Sequence, residues 1–374
     1  MSPVILASDK TELSQFKGDK VVWPVYRTIG NVSKHIHHQP MRHASILVGY
    51  LPVSKLETFK NNSVARYHLF HYCIRRLVQS LVAAGWEGVD MVCADGLVRR
   101  VYPMLAAFIG DHPEQCLVAC CAENQCPKCH MPADQRSTNF QFPSCNQDQT
   151  AHVLHVQATG QYPPKFIAKG LCPIFSPFWA DLPHADIFTC ITSDILHQLH
   201  QGIIKDHLKK WCMAIAGKKV FNSQFQAMLF HPGLQHWKDG ISKVRQWTGT
   251  DHKQLQWVFV PTLVGTTPNY NIIRASCALL DFVCLMQYYS HTEETLQALQ
   301  DALNDFHTLK DVFIDLGCRE HFNIPKLHSL VHYVKSIWLF GSLDRFNTEK
   351  LERLHIDYAR RLMPQLIKGT TRYR

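Results

Sequence analysis

Apolar residues along this chain follow two rhythms. Short β-branched runs come first. Residues 4–7 are one, ending at Ser8-Asp9; Val21–Ile29 is a second, broken by Pro24; Ile46–Leu51 is a third. Each predicts a strand. Over residues 65–83 the spacing changes. Leu69, Tyr72, Cys73, Leu77, Leu81 and Val82 recur at three- and four-residue steps, with Arg75, Arg76 and Gln79 between them. That predicts an amphipathic helix, stopped at Gly85. Beyond a turn at Asp95-Gly96, residues 104–110 form a fourth apolar run, which ends abruptly at Asp111-His112-Pro113-Glu114.

Strand, strand, strand, helix, strand is the order in which an RNase H-like sheet is built, so an α/β fold is expected. Residues 122–185 are rich in Cys, Pro, Gln, Asn and Asp and predict loops. Helical patterns then dominate over residues 187–211, 221–229, 254–264, 272–289 and 294–316. Thr292 is placed to cap the last of these, and Trp247-Thr248-Gly249-Thr250 marks a break. A final helix begins near Asn347-Thr348 and carries Glu349, Glu352, His355 and Arg360. The expected organisation is a core of residues 1–121, a loop-rich then helical insertion over 122–334, and a terminal helix within 335–374.

With 374 residues there is enough chain for a sizeable core. The 39 basic residues against 30 acidic ones, with 23 histidines, suit a polyanionic partner without demanding one. No apolar run reaches membrane-spanning length; the best, residues 275–286, is cut by Asp281 and predicts a buried helix. Residues 1–10 lack the basic start and apolar stretch of a secretory signal. The 14 cysteines are therefore expected in a reduced compartment, with Cys73, Cys93, Cys277 and Cys284 as core filler.

Candidate chemistry sits at the element ends. Asp9 and Asp111 each close an apolar strand, where a carboxylate is fixed yet open to solvent. Side by side, two such groups can hold a pair of Mg²⁺ or Mn²⁺ ions about 3.5–4 Å apart. The alternative for each is a turn cap. A third acid could come from Glu349 or Glu352, which share a helix face with His355 while Asp357 lies nearby. Cys126-Pro127-Lys128-Cys129 has the spacing of a two-thiolate zinc knuckle, and His328 and His332 stand one helical turn apart. Together they make a Cys₂His₂ set, with His130 as a local alternative ligand. Lys34, Arg42, Arg99 and Arg100, with the basic run Lys34-His35-Ile36-His37-His38, could meet phosphates or simply be solvated.

These residues also resemble a known family. Trp23-Pro24-Val25-Tyr26-Arg27-Thr28-Ile29-Gly30-Asn31, Arg42-His43-Ala44 and Val48-Gly49-Tyr50-Leu51-Pro52 are similar to segments of the fungal Plavaka transposases, a CACTA-related, KDZ-like group. So are Gly110-Asp111-His112-Pro113-Glu114-Gln115, Cys126-Pro127-Lys128-Cys129, Ser193-Asp194-Ile195-Leu196-His197-Gln198-Leu199, Phe346-Asn347-Thr348-Glu349 and Glu352-Arg353-Leu354-His355-Ile356-Asp357. The resemblance runs in order along essentially the whole chain.

The resemblance implies an RNase H-like DDE core with a helical insertion before the glutamate. Asp9 and Asp111 fall on its two aspartates, and Glu352 or Glu349 on its glutamate. Related CACTA and V(D)J recombinase enzymes place a Cys-x-x-Cys after the second aspartate and a histidine pair before the glutamate. That order recurs here and implies a zinc ion beside a Mg²⁺ or Mn²⁺ site. The implied activity is phosphodiester hydrolysis and strand transfer on DNA, in the nucleus, away from membranes, by a protein that can oligomerise on DNA. Two rivals stand beside it. One is an inactive or domesticated remnant that binds DNA or protein; the other is a zinc hydrolase, which lacks a His-Glu-x-x-His motif. Family members usually continue upstream, whereas eight residues precede Asp9, so a truncated chain is expected.

Overall fold

A computed structural model describes residues 1–12, 21–37, 39–53, 56, 62–245, 247–267, 269–346 and 348–362. The chain divides into two units. The first combines described residues within 1–131, 142–192 and 345–362; the second combines those within 132–141 and 193–344.

The first unit is mixed α/β. Its strands are β1 (Ser2–Ser8), β2 (Thr11–Glu12), β3 (Val21–Ile29), β4 (Ile46–Leu51), β5 (Val89–Val92), β6 (Val98–Val101) and β7 (Pro103–Ile109). β1 lies centrally. It pairs antiparallel with β3, from Val4 opposite Ile29 to Ser8 opposite Val25, and parallel with β7, from Ser2 opposite Pro103 to Ala7 opposite Ile109. β2 continues along the same side of β3, and β4 covers its other side. Val4 to Ser8 are all buried, as a strand covered on both faces requires. Pro24, which cannot donate to a ladder, sits beside a register shift between Val25 and Tyr26 in the β3–β4 pairing. Beyond β7, Ile191 bridges Phe108 in parallel.

Three helices of this unit bear on the site: α1 (Asn62–Glu87), α2 (His112–Val118) and α3 (Glu349–Leu354), the last running on into a wider π-type turn, His355–Leu362. α1 buries Phe70, Ile74, Val78 and Leu81 in one core with Val4, Leu6, Val25, Leu105 and Phe108. Leu81 of the expected stripe is in that core and Cys73, Leu77 and Val82 pack against it half-buried, whereas Tyr72 is exposed; the deepest line runs through Phe70, Ile74 and Val78. Apolar residues flank both lines, so periodicity alone did not choose between them. Gly85 does not end the helix. It lies within α1 because a Cβ there would stand 2.5 Å from Pro183 Cγ; the stop is Gly88, at φ +75°. The exposed hairpin β5–β6, around the expected Asp95-Gly96 turn, went unforeseen because its valines face solvent rather than a core.

The second unit is helical around its own core, which includes Leu199, Trp211, Phe259, Leu279, Phe282, Phe306 and Leu327. The single helix expected over 187–211 is instead Ile187–Cys190, then Ile195–Leu208 and Lys209–Ala216, because Asp194 caps a new start through Leu196 and His197 N–H. The expected 294–316 helix is Glu293–Leu309 followed by Val312–Asp315. The cap at Thr292 is present as a capping box with Thr295, and Thr248 forms another with Asp251 at the expected break. Cys93 and Cys277 are only half-buried and Cys284 is exposed, so they are not core filler, whereas the half-buried Cys73 packs against the first unit's core. No described helix is long and apolar enough to cross a membrane.

Candidate functional site

Past a register shift between Val4 and Ile5, the parallel strands β1 and β7 bring their following residues together. Ala7 lies opposite Ile109, and two residues beyond each stand Asp9 and Asp111. Asp111 is also the N-cap of α2: its Oδ1 accepts the Glu114 N–H at 3.0 Å. Capping and a place in the acid site therefore coexist in one side chain. Pro113 starts the helix, and Glu114 occupies the first turn on the same end.

Glu114 is a residue the sequence reading missed. Oxygens of Asp9, Asp111 and Glu114 all lie within 4.8 Å of one another. Glu114 is only 5% exposed, and its carboxylate accepts the Trp23 indole N–H at 3.2 and 3.3 Å. Burial, then the charges of Asp111 and Asp9, push its carboxyl well above the usual range. Three carboxylates so close repel one another, and a cation would relieve them. All donors are hard oxygens, which suit Mg²⁺ or Mn²⁺ rather than a soft metal. The clue was present in Asp111-x-x-Glu114, but that spacing reads first as an ordinary helix start.

Of the two candidate glutamates on α3, Glu349 is half-buried and Glu352 exposed, and neither belongs to that three-carboxylate group. From this part of the chain, His355 reaches the group. Its Nε2 lies 3.4 Å from Asp9 Oδ2 and its Nδ1 3.3 Å from the Tyr26 hydroxyl. The Tyr50 hydroxyl donates to the Tyr358 carbonyl at 2.7 Å, a second tie between the sheet and the same segment.

The soft donors fall in both units. In the first, Cys129 is buried and Cys126 half-buried, on a turn braced by Cys145 N–H to Lys128 O at 2.9 Å and His130 N–H to Pro143 O at 3.0 Å. The Cys129 thiol is pushed up, first by its hydrogen bond with Cys126 and then by burial. His130 turns Nδ1 toward Cys145 Sγ at 3.6 Å, and burial lowers its pKa. In the second unit, His328 is buried and His332 half-buried, their rings perpendicular with centroids 5.1 Å apart.

The candidate phosphate contacts are partly engaged within the protein. Arg99 makes a two-pronged ion pair with Asp95 at 2.6 and 2.7 Å, Arg100 stands 3.7 Å from Asp90, and Arg42 donates to Gln39. Lys34 opens the short helix Lys34–His37.

One end of the parallel β1–β7 pair thus gathers buried and half-buried carboxylates that could hold a hard cation. A family model described as Plavaka transposase matches residues 1–212, more than half of the chain. The chain belongs to the Plavaka transposase family, and so to a class of nuclease- and transferase-type enzymes that work on DNA. The matched span includes Asp9, Asp111, Glu114, Cys126 and Cys129. A search of curated proteins gives no match.

Proposed function

We propose that this chain is the catalytic core of a DDE transposase, cleaving a phosphodiester at a transposon end and joining the freed 3′-OH to target DNA. The observation that carries the reading is the set of carboxylates shared by Asp9, Asp111 and Glu114. The strand order agrees with an RNase H-like core: an antiparallel β4–β3–β1 meander with β7 added parallel to β1. Asp9 and Asp111 would hold Mg²⁺ or Mn²⁺ together with Glu352 or Glu349 from α3. Divalent ions in such a site activate the attacking hydroxyl and stabilise the leaving 3′ oxygen. The protein's own part is to hold its ligands still, through the β1–β7 register and the cap on α2.

We further propose that Cys126, Cys129, His328 and His332 bind one structural zinc. Two thiolates and two imidazoles are a complete tetrahedral set for that ion. The pairs are about 200 residues apart, and closing such a loop costs roughly as much entropy as a long disulfide loop, about 4–5 kcal/mol. Structural zinc in small domains contributes on the order of 10 kcal/mol, enough to offset it. The partner is DNA in the nucleus, held mainly through its phosphates by a protein able to oligomerise on it.

The test is metal-dependent nicking of supercoiled DNA. Nicking that requires Mg²⁺ or Mn²⁺ and disappears in Asp9→Asn and Asp111→Asn supports the reading. DNA binding without nicking under any metal would favour an inactive DNA-binding derivative. Loss of nicking in Glu349→Gln but not Glu352→Gln, or the reverse, identifies the third acid. For zinc, metal analysis should give one ion per chain, absent from both the Cys126→Ser/Cys129→Ser and His328→Ala/His332→Ala proteins. Zinc kept by the histidine variant would point to local ligands such as His130.

A further inference from the structure

His355 has no role in the reading above, yet it is 1% exposed and is the side chain through which the segment after α3 touches Asp9. Burying an imidazole is costly unless both ring nitrogens are satisfied. Here one nitrogen faces a carboxylate and the other a phenol that is itself 1% exposed. The two partners fit one arrangement: the carboxylate accepts from Nε2–H, and the Tyr26 hydroxyl can donate to Nδ1. Tyr26 is suited to this, because burial first, then the neighbouring Tyr50 and Tyr358 and the Asp9 and Asp357 carboxylates, hold it in the O–H form.

We infer that His355 is a positioning residue for Asp9: anchored on Tyr26, its Nε2–H fixes the orientation of the Asp9 carboxylate and leaves that group's remaining lone pairs for a cation. Asp9 follows β1 and Tyr26 lies within β3, so the relay Tyr26–His355–Asp9 ties two neighbouring strands to the segment that carries the candidate glutamates. A carboxylate at a strand end, with its backbone no longer in the ladder, could otherwise rotate freely about its side-chain bonds. Partners one step removed from a metal commonly change its affinity by roughly 10–100-fold.

The inference rests on the reading of Asp9 as a metal ligand only for its consequence, not for the relay itself, and the tests separate the two. The relay is read by long-range ¹H–¹⁵N spectra of ¹⁵N-histidine-labelled protein, with His355 assigned from its absence in His355→Gln. A ring that carries a proton on Nε2, with its Nδ1 signal shifted in Tyr26→Phe and its Nε2 signal shifted in Asp9→Ala, is expected. A ring with no proton on Nε2, or one indifferent to both substitutions, overturns the inference. The consequence is read by Mn²⁺ binding followed by electron paramagnetic resonance. His355→Ala should weaken it roughly 10–100-fold, whereas His355→Gln, whose amide N–H can stand near the position of Nε2–H, should recover most of the loss. Equal weakening in both, or none in either, overturns the positioning role. Should Asp9→Asn itself leave Mn²⁺ binding unchanged, the metal-site reading fails, while the spectra still decide whether the relay exists.

Discussion

Asp111 shows how one carboxylate can serve the backbone and the chemistry at once. As an N-cap it satisfies a backbone N–H that would otherwise lack a partner, and Asn does this about as well as Asp. Asp111→Asn should therefore leave the thermal midpoint nearly unchanged while abolishing divalent-metal binding and any nicking. Asp111→Ala should also lose about 0.5–2 kcal/mol of stability with the cap. Equal metal binding by wild type and Asp111→Asn, measured by titration calorimetry, would remove Asp111 from the site. Legibility differs sharply among the neighbouring residues. Asp9 and Asp111 stood out in the sequence because each interrupts an apolar run. Glu114 did not, because a glutamate three residues into a helix is what the helix dipole favours anyway. Tyr26 and His355 are 329 residues apart, and no local pattern announces a pair that only the sheet brings together.

At the scale of elements, glycine and cap positions give the clearest tests. Alanine is normally the better helix former, by about 1 kcal/mol. Gly85→Ala should nevertheless destabilise the protein by about 1–3 kcal/mol, because the new methyl meets Pro183 Cγ at 2.5 Å and the Pro103 carbonyl at 3.2 Å. A rise in melting temperature would mean that Pro183 yields. Thr248→Ala removes half of a capping box and should cost about 1 kcal/mol by chemical denaturation. Thr248→Asp should retain most of that, and an unchanged midpoint for the alanine would discount the cap. The helix Gly249–Leu263 was legible by its apolar spacing from Gln254 onward, while its first turn lay hidden in the expected break at 247–250. The split of the 187–211 stretch was not, since apolar residues continue through it and only the Asp194 side chain marks the restart.

For the whole molecule, buried histidines set the response to acid. In the second unit, burial is the largest cause that lowers His200 to about 3 and His207, His252 and His307 to about 4. In the first unit burial lowers His71 to about 3. All five are neutral when folded but take up protons near pH 6.5 once unfolded. Their stabilising contribution is therefore complete above about pH 6.5 and is lost as pH falls toward 3–4. Unfolding of the second unit at about pH 5 should take up roughly four protons. Calorimetry in buffers of different ionisation enthalpy measures that number directly. A melting temperature that is level from pH 7 to pH 5 would mean that the rings protonate in place.

The first unit is not continuous in sequence: its sheet precedes residue 193, and the segment bearing His355 follows residue 344. Synthesis from the N-terminus therefore makes both aspartates early and the histidine partner of Asp9 late. For most of translation the ribosome holds a nascent chain whose acidic group has no relay. A message that stops at codon 345 yields a product with both aspartates and the residues of the second unit, yet without His355, Glu349 or Glu352. Such a product keeps the acidic group but has no imidazole to hold Asp9.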